Sequence, residues 1–214
     1  MDGSDAPEQS HLNEFLADVV DGLSKPQKTL ACRWLYDEAG SDLFEQITEL
    51  PEYYPTRTEI SILNQHADEI VSTLGDDALL IEYGAGASTK TRILLDNLNA
   101  IAGYVPIDVS EAFLLYTAET LRRDYPKLDV FPVVGNFMAE IDLPELPSGQ
   151  RVGFFPGSTI GNLSDDEIES FLNGARSLLG DDSRFLIGVD LRKSPDILVP
   201  AYDDAAGVTA AFNL

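Results

Sequence analysis

The residues best suited to do chemistry sit in the run Ile81-Glu82-Tyr83-Gly84-Ala85-Gly86-Ala87-Ser88-Thr89-Lys90. Apolar residues from Ala78 to Ile81 lead into two glycines one residue apart, and a helix is expected behind them. A second apolar run, Tyr104-Val105-Pro106-Ile107, ends at Asp108, 22 residues after Gly86. Strand, glycine turn, helix, strand and acid in that order describe a nucleoside-cofactor site. The glycines let the backbone approach the ligand, the helix N-terminus faces its polar end, and the acid takes ribose hydroxyls. The dinucleotide pattern would put a third glycine at position 89, where this chain has Thr. A pyrophosphate ligand is therefore disfavoured, and S-adenosylmethionine, which carries no phosphate, becomes the leading cofactor, with Gly84, Gly86 and Asp108 as its first candidate contacts. Lys90, in the first turn of the expected helix, either is a solvated surface lysine or pairs with the carboxylate of the cofactor's methionine part. Asn136 and Phe137 follow the third expected strand, where an amide and a ring would complete an adenine pocket.

A second polar loop is Phe154-Phe155-Pro156-Gly157-Ser158-Thr159-Ile160-Gly161-Asn162. It follows the fourth expected strand, at the carboxyl edge where open α/β sheets bind ligands. Asn162 both donates and accepts, which suits a zwitterionic amino acid head; the alternative is an Asx-turn before Leu163. Tyr36, Tyr53, Tyr54 and Tyr202 gather outside the expected sheet, a pattern that half-buried packing with satisfied hydroxyls also produces.

The elements that must position these residues follow from period and punctuation. Residues 1–10 read as a disordered leader. Leu12, Phe15, Leu16, Val19, Val20 and Leu23 keep a helical period. A second helical piece is expected from Lys28 to Tyr36, and a third behind a Ser41-Asp42 cap. Pro51 to Pro55 is expected to be irregular, and Thr56-x-x-Glu59 reads as a capping box opening a helix that lasts to Gly75. From Leu79 the rhythm changes. Strands are expected at about 79–83, 103–107, 129–134, 152–156 and 184–190, with helices at about 88–98, 110–124 and 165–179. Such alternation specifies a doubly wound parallel sheet. Pro132 places the third strand at an edge, which an order of 3-2-1-4-5 satisfies, and Pro106 must then lie near its strand's end. Residues 201–214 read as one helix. Two further strands, the last antiparallel, are normal in a methyltransferase sheet of this kind, so the expectation is a Rossmann-like class I S-adenosylmethionine-dependent fold, truncated before them. The domain reading is a helical part of a substrate-binding domain over 11–60, a cofactor domain over 61–193, and the start of a substrate-domain insertion over 194–214.

Composition narrows the partners. The chain carries 37 Asp and Glu against 14 Lys and Arg, a formal net charge of −23. Such a surface repels phosphate backbones, so nucleic acid is an unsuitable partner. The imbalance fits a solubility-tuned cytosolic enzyme, or a protein of a high-salt cytoplasm where self-repulsion is screened. One cysteine, Cys32, fits a reducing, cytoplasmic compartment. One Cys and two separated His, His11 and His66, give no transition-metal cluster. No apolar stretch reaches the roughly 18 residues of a membrane span, and the acidic N-terminus is unlike a secretory signal. The oligomeric state is left open between monomer and higher forms.

Longer motifs then bring a family into view. Leu35-Tyr36-Asp37-Glu38-Ala39-Gly40-Ser41-Asp42-Leu43-Phe44-Glu45-Gln46-Ile47-Thr48, Leu50-Pro51-Glu52-Tyr53-Tyr54-Pro55-Thr56-Arg57-Thr58-Glu59, the Phe155–Asn162 loop and Gly188-Val189-Asp190-Leu191-Arg192-Lys193 resemble the histidine-specific S-adenosylmethionine-dependent methyltransferases of ergothioneine biosynthesis. The likeness runs from about Leu12 to Leu214 and covers roughly the first two-thirds of a full-length member. It implies trimethylation of the α-amino group of L-histidine to hercynine, and a substrate domain, made of the N-terminal helices and an insertion beginning near Ser194, over the cofactor domain. By the resemblance Gly84, Lys90 and Asp108 bind the cofactor, and Asn136 and Phe137 line its adenine side. Tyr36, Tyr53, Gly157, Asn162 and Tyr202 hold the amino acid, and Asn162 and Tyr36 are the candidate catalytic residues. Position 136 is Asn where the resemblance leads one to expect an acid, and the family's imidazole-selecting residues fall beyond Leu214. The implied reaction is direct transfer of a sulfonium methyl to an amine that has lost its proton to solvent or to a tyrosine hydroxyl. Rival readings are a methyltransferase acting on another amine, a non-catalytic or partner-dependent cofactor-binding domain, and a nicotinamide dehydrogenase.

Overall fold

The computed structural model describes residues 5–98 and 100–214. Its centre is β1 (Ala78–Tyr83), in which every residue is buried. β2 (Ile101–Asp108) and β4 (Gln150–Phe155) flank it in parallel, β3 (Val133–Val134) lies outside β2, and β5 (Arg184–Ile187) lies outside β4. The order β3-β2-β1-β4-β5 is the one expected from the sequence.

Both faces of the sheet are covered, as a parallel sheet requires. Leu80, Tyr104, Val152 and Phe154 meet Leu94, Ala118 and Leu121 on one side. Leu79, Ile81, Tyr83, Val105, Ile107 and Phe155 meet Phe171, Ala175 and Leu179 on the other. These residues belong to α5 (Thr89–Asn97) and α6 (Glu111–Asp124) on the first face and α7 (Asp165–Leu179) on the second. α7 opens with the expected Ser164–Glu167 capping box and ends at Gly180, whose φ is +88°.

The two strand prolines explain a short third strand. Tyr104 N–H donates to Asp129 O, and Gly135 N–H to Asp108 O, on the β3 side. By alternation the N–H that Pro106 lacks would also face that side. It falls in the gap between the Tyr104–Val130 bridge and the Ile107–Val133 pair, and Pro132 occupies the same gap. Regular pairing therefore shrinks from the expected 129–134 to two residues.

The N-terminal helices depart further from expectation. α1 spans Asp5–Ser24 and so begins inside the segment expected to be a disordered leader, whose first four residues lie outside the described ones. Ala6, Glu8 and Gln9 are good helix formers that extend it. Asp18 ties it down by accepting from Arg33 Nη2 at 2.7 Å and Trp34 Nε1 at 2.8 Å. The helical piece expected over 28–36 contracts to a 3-10 turn at Cys32–Leu35. α2 (Glu38–Thr48) is capped not by Ser41 or Asp42 but by Asp37, which accepts from Gly40 N–H at 2.7 Å. α3 (Tyr54–Gln65) starts before Thr56, with Pro55 in its first turn, where a missing N–H costs nothing. Thr56 is thus already helical and cannot cap, so the expected capping box does not form. His66 then breaks the expected long helix, and α4 (Ala67–Leu74) follows. The single helix expected over 201–214 is two: α8 (Pro195–Tyr202) and α9 (Val208–Phe212), parted by Gly207 at φ +76°. Asp204 caps α9 by accepting from Val208 N–H at 3.0 Å and Thr209 N–H at 2.8 Å.

Candidate active site

The glycine turn between β1 and α5 is folded back onto the end of β2. Gly84 and Ala85 N–H donate to Ile107 O, and Gly86 N–H donates to Asp108 Oδ2 at 3.0 Å. Asp108 Oδ1 accepts from Ser110 N–H at 3.0 Å. Gly84 and Gly86 have φ of +72° and +49°, which only glycine adopts without strain. A Cβ built on Gly86 would meet nothing within 4 Å, so the space over the turn is open to a ligand. Phe137 borders that space, its Cε1 lying 3.7 Å from a Cβ built on Gly84. The ring is held by Phe155 and Phe171 at centroid distances of 5.3 and 5.6 Å. Asn136 Oδ1 accepts from Met138 N–H at 3.0 Å, which fixes the amide and leaves its NH2 unspent in that turn. An open glycine turn, a half-committed carboxylate and a bordering ring fit an adenosyl group.

Below the turn lies a buried polar network. Glu82, 1% exposed, accepts from Thr91 Oγ1 and the Tyr104 hydroxyl. Ser88 Oγ and Tyr104 OH share a hydrogen bond of 2.9 Å. Burial pushes the Glu82 carboxyl up to about 7, against the opposing pull of those two hydroxyls. Ser88 holds a left-handed backbone at φ +53°, a conformation its buried bond helps maintain.

The second loop meets the first through a residue whose role the local pattern misassigns. Glu59, on α3, accepts from Gly157 N–H with both oxygens, at 3.0 and 2.8 Å, and pairs with Lys90 Nζ at 2.6 Å. Both side chains are 17% exposed, making this the least exposed ion pair among the described residues. Gly157 lies 98 residues from Glu59, so no local pattern could reveal the contact. Gly157 has φ +85°, and a Cβ there would stand 3.3 Å from Lys90 Nζ. Nearby, Asp190 accepts from the Tyr54 hydroxyl and Lys193 Nζ, while its N–H donates to Ser158 Oγ at 2.9 Å. Desolvation pushes Asp190 upward, but the bonds from Lys193, Tyr54 and Leu191 N–H outweigh it and hold the carboxyl below its usual range.

The tyrosines form one aromatic wall. Tyr36 stands edge-on to Phe44 and Phe212 at 5.4 and 5.3 Å. Tyr53 stands edge-on to Phe44 and Tyr202 at 6.3 and 5.9 Å. Burial pushes the Tyr36 phenol well up, with smaller contributions from Cys32 and from Asp108, whose charge is near enough to bear on it. Burial likewise raises Tyr53, with Tyr202, Tyr36 and Glu59 adding to it. These phenols therefore stay protonated at neutral pH. Asn162 ends a 3-10 turn (Thr159–Asn162) and is exposed.

The family described as histidine-specific, S-adenosylmethionine-dependent methyltransferase matches residues 15–214. The chain belongs to that family. A histidine N-alpha-methyltransferase of Mycolicibacterium smegmatis is 44% identical over 92% of this chain and 61% of its own length. An ergothioneine biosynthesis protein 1 of Neurospora crassa is 36% identical over 84% of this chain and 21% of its own. The chain thus spans about three fifths of the length of the first relative. The fold is shared with a solved Methanococcus maripaludis protein, provisionally described as an S-adenosylmethionine-dependent methyltransferase. It superposes with a TM-score of 0.53 at 13% identity, over 87% of this chain and 78% of that one.

Within this family member the carboxyl edge of the sheet thus gathers Gly84, Gly86, Asp108 and Phe137 around one open turn, and Lys90 and Gly157 around Glu59. Tyr36, Tyr53 and Tyr202 line one wall beside them. Glu59, Phe44 and Phe212 are the contributors the sequence did not mark. Phe44 and Phe212 have the apolar spacing of ordinary helix faces. A surface depression of about 370 Å³ lies at the opposite, amino end of β4 and β5, lined by Arg151, Asp181 and Asp182 among others, away from this chemistry.

Proposed function

We propose that this chain carries S-adenosylmethionine-dependent trimethylation of the α-amino group of L-histidine, giving hercynine, within ergothioneine biosynthesis. A small amino acid as the partner class and a cytoplasmic setting belong to the same reading. The observation that carries it is the open glycine turn buttressed by Asp108 in a chain of this family.

Bound S-adenosylmethionine supplies an activated sulfonium methyl, so the protein's task is mainly alignment. Asp108 spends one lone pair on each of Gly86 and Ser110 and retains others for ribose hydroxyls. Lys90 faces the carboxylate of the methionine part. Phe137 and Asn136 border the adenine. Tyr36, Tyr53, Gly157, Asn162 and Tyr202 hold the amino acid. Because their phenols are raised, Tyr36 and Tyr53 act as neutral hydrogen-bonding groups and do not take the amine's proton, which leaves to water. Their ring faces favour the growing ammonium charge by about 0.5–2 kcal/mol.

The test is incubation with labelled methyl donor and L-histidine, following one, two and three added methyl groups by mass, alongside calorimetric titration with S-adenosylhomocysteine. Stepwise methylation of histidine is expected. Transfer to a different amine with none to histidine would overturn the substrate, and absence of S-adenosylhomocysteine binding would overturn the site.

A further inference from the structure

The Glu59–Lys90 pair is more than a tether. It sits where the start of α5, the loop after β4 and the loop after β5 converge, beside the glycine turn. Three features indicate an arranged site. Gly157 N–H fixes the carboxylate through both oxygens. A Cβ at Gly188 would stand 1.8 Å from Glu59 Oε1, so only a glycine there leaves room for it. Both charged groups keep 17% exposure, so neither is sealed off from solvent.

The charges are complementary to a zwitterion. Lys90 has three donors and gives one to Glu59. Glu59 has about four lone-pair positions on two oxygens, and Lys90 and Gly157 do not exhaust them. A carboxylate standing alone beside Lys90 would be repelled by Glu59, whereas a head that carries an ammonium beside its carboxylate satisfies both partners. We propose that Glu59 is a ligand-binding residue, the anionic half of a receptor for the amino acid head of the cofactor, receiving its α-ammonium while Lys90 receives its carboxylate. This rests on the cofactor reading above and adds a contact to it.

Calorimetric titration of the full chain with three ligands separates the possibilities. S-adenosylhomocysteine carries both head groups, its decarboxylated analogue carries the ammonium alone, and 5′-methylthioadenosine carries neither. Glu59→Gln is expected to weaken the first two by about tenfold, the scale of one charge-assisted hydrogen bond, and to leave the third within about twofold. Lys90→Met is expected to weaken S-adenosylhomocysteine alone. Because each single variant strands a half-buried charge, the double variant Glu59→Gln/Lys90→Met removes both together. It is expected to bind S-adenosylhomocysteine no better than 5′-methylthioadenosine. Equal losses for all three ligands with Glu59→Gln, no loss for any, or a double variant that keeps its preference for the full head would overturn the role of Glu59. Failure of the wild-type chain to bind all three would instead overturn the cofactor site itself.

Discussion

Asp108 and Asn162 make opposite demands. Asp108 holds Gly86 and Ser110 and faces the proposed ribose, so Asp108→Ala is expected to weaken S-adenosylhomocysteine at least about tenfold while sparing histidine binding to the cofactor-loaded chain. Asn162→Ala is expected to do the reverse, and titration of each ligand checks both. Equal loss of both ligands in either variant would remove the role assigned to it. Glu82 offers a pH signature. Its carboxyl is raised in the folded chain to about 7, so near neutral pH the folded state holds a proton that the unfolded state has released. The resulting stabilisation is full below the ordinary carboxylate range and is lost as pH climbs from there through about 7. Each tenfold difference in proton affinity between the two states is worth about 1.4 kcal/mol, so the whole effect is roughly 3 kcal/mol. Glu82→Gln keeps an acceptor for Thr91 and Tyr104 and cannot ionise. Its urea midpoint is expected to match wild type near pH 4 and exceed it near pH 8.

Among the helices, sequence punctuation predicts structure well where partners are local and poorly where they are distant. Ser164 and Glu167 are three residues apart and form their cap. Thr56 and Glu59 have the same spacing, yet Pro55 lets α3 begin earlier, and Glu59 turns to Gly157 and Lys90 instead. The same holds for α9, too short to persist by propensity alone. It is kept in place by the Asp204 cap and by Phe212 packed on Phe44 and Tyr36. Phe212→Ala is expected to cost roughly 2 kcal/mol in a denaturant melt, less than a fully buried ring because Phe212 is half-buried. It is also expected to weaken amino acid binding by loosening Tyr36, whereas unchanged stability would show that α9 does not rely on this ring.

For the whole molecule the dominant physical fact is a charge of −23. Raising KCl from about 0.05 M to about 1 M shortens the screening length to about 3 Å and relieves self-repulsion. The melting temperature is expected to rise by at least about 5 °C, the equivalent of ~2 kcal/mol for a chain of this size. A flat response would remove both the repulsion argument and the high-salt reading of the composition.

The strand order, the crossover helices, the glycine turn after β1 and the aspartate after β2 were all determined by the sequence itself. They depend on periodicity, glycine and short-range punctuation, which act over a few residues. Tertiary structure alone decided that Glu59 would leave its own helix terminus for a loop 98 residues away, and that Phe44 and Phe212 would hold Tyr36. The Glu59 and Phe212 contacts join segments far apart in the chain. Which acceptor a side chain takes is then set by what lies within reach, and its near neighbours in the chain do not encode that.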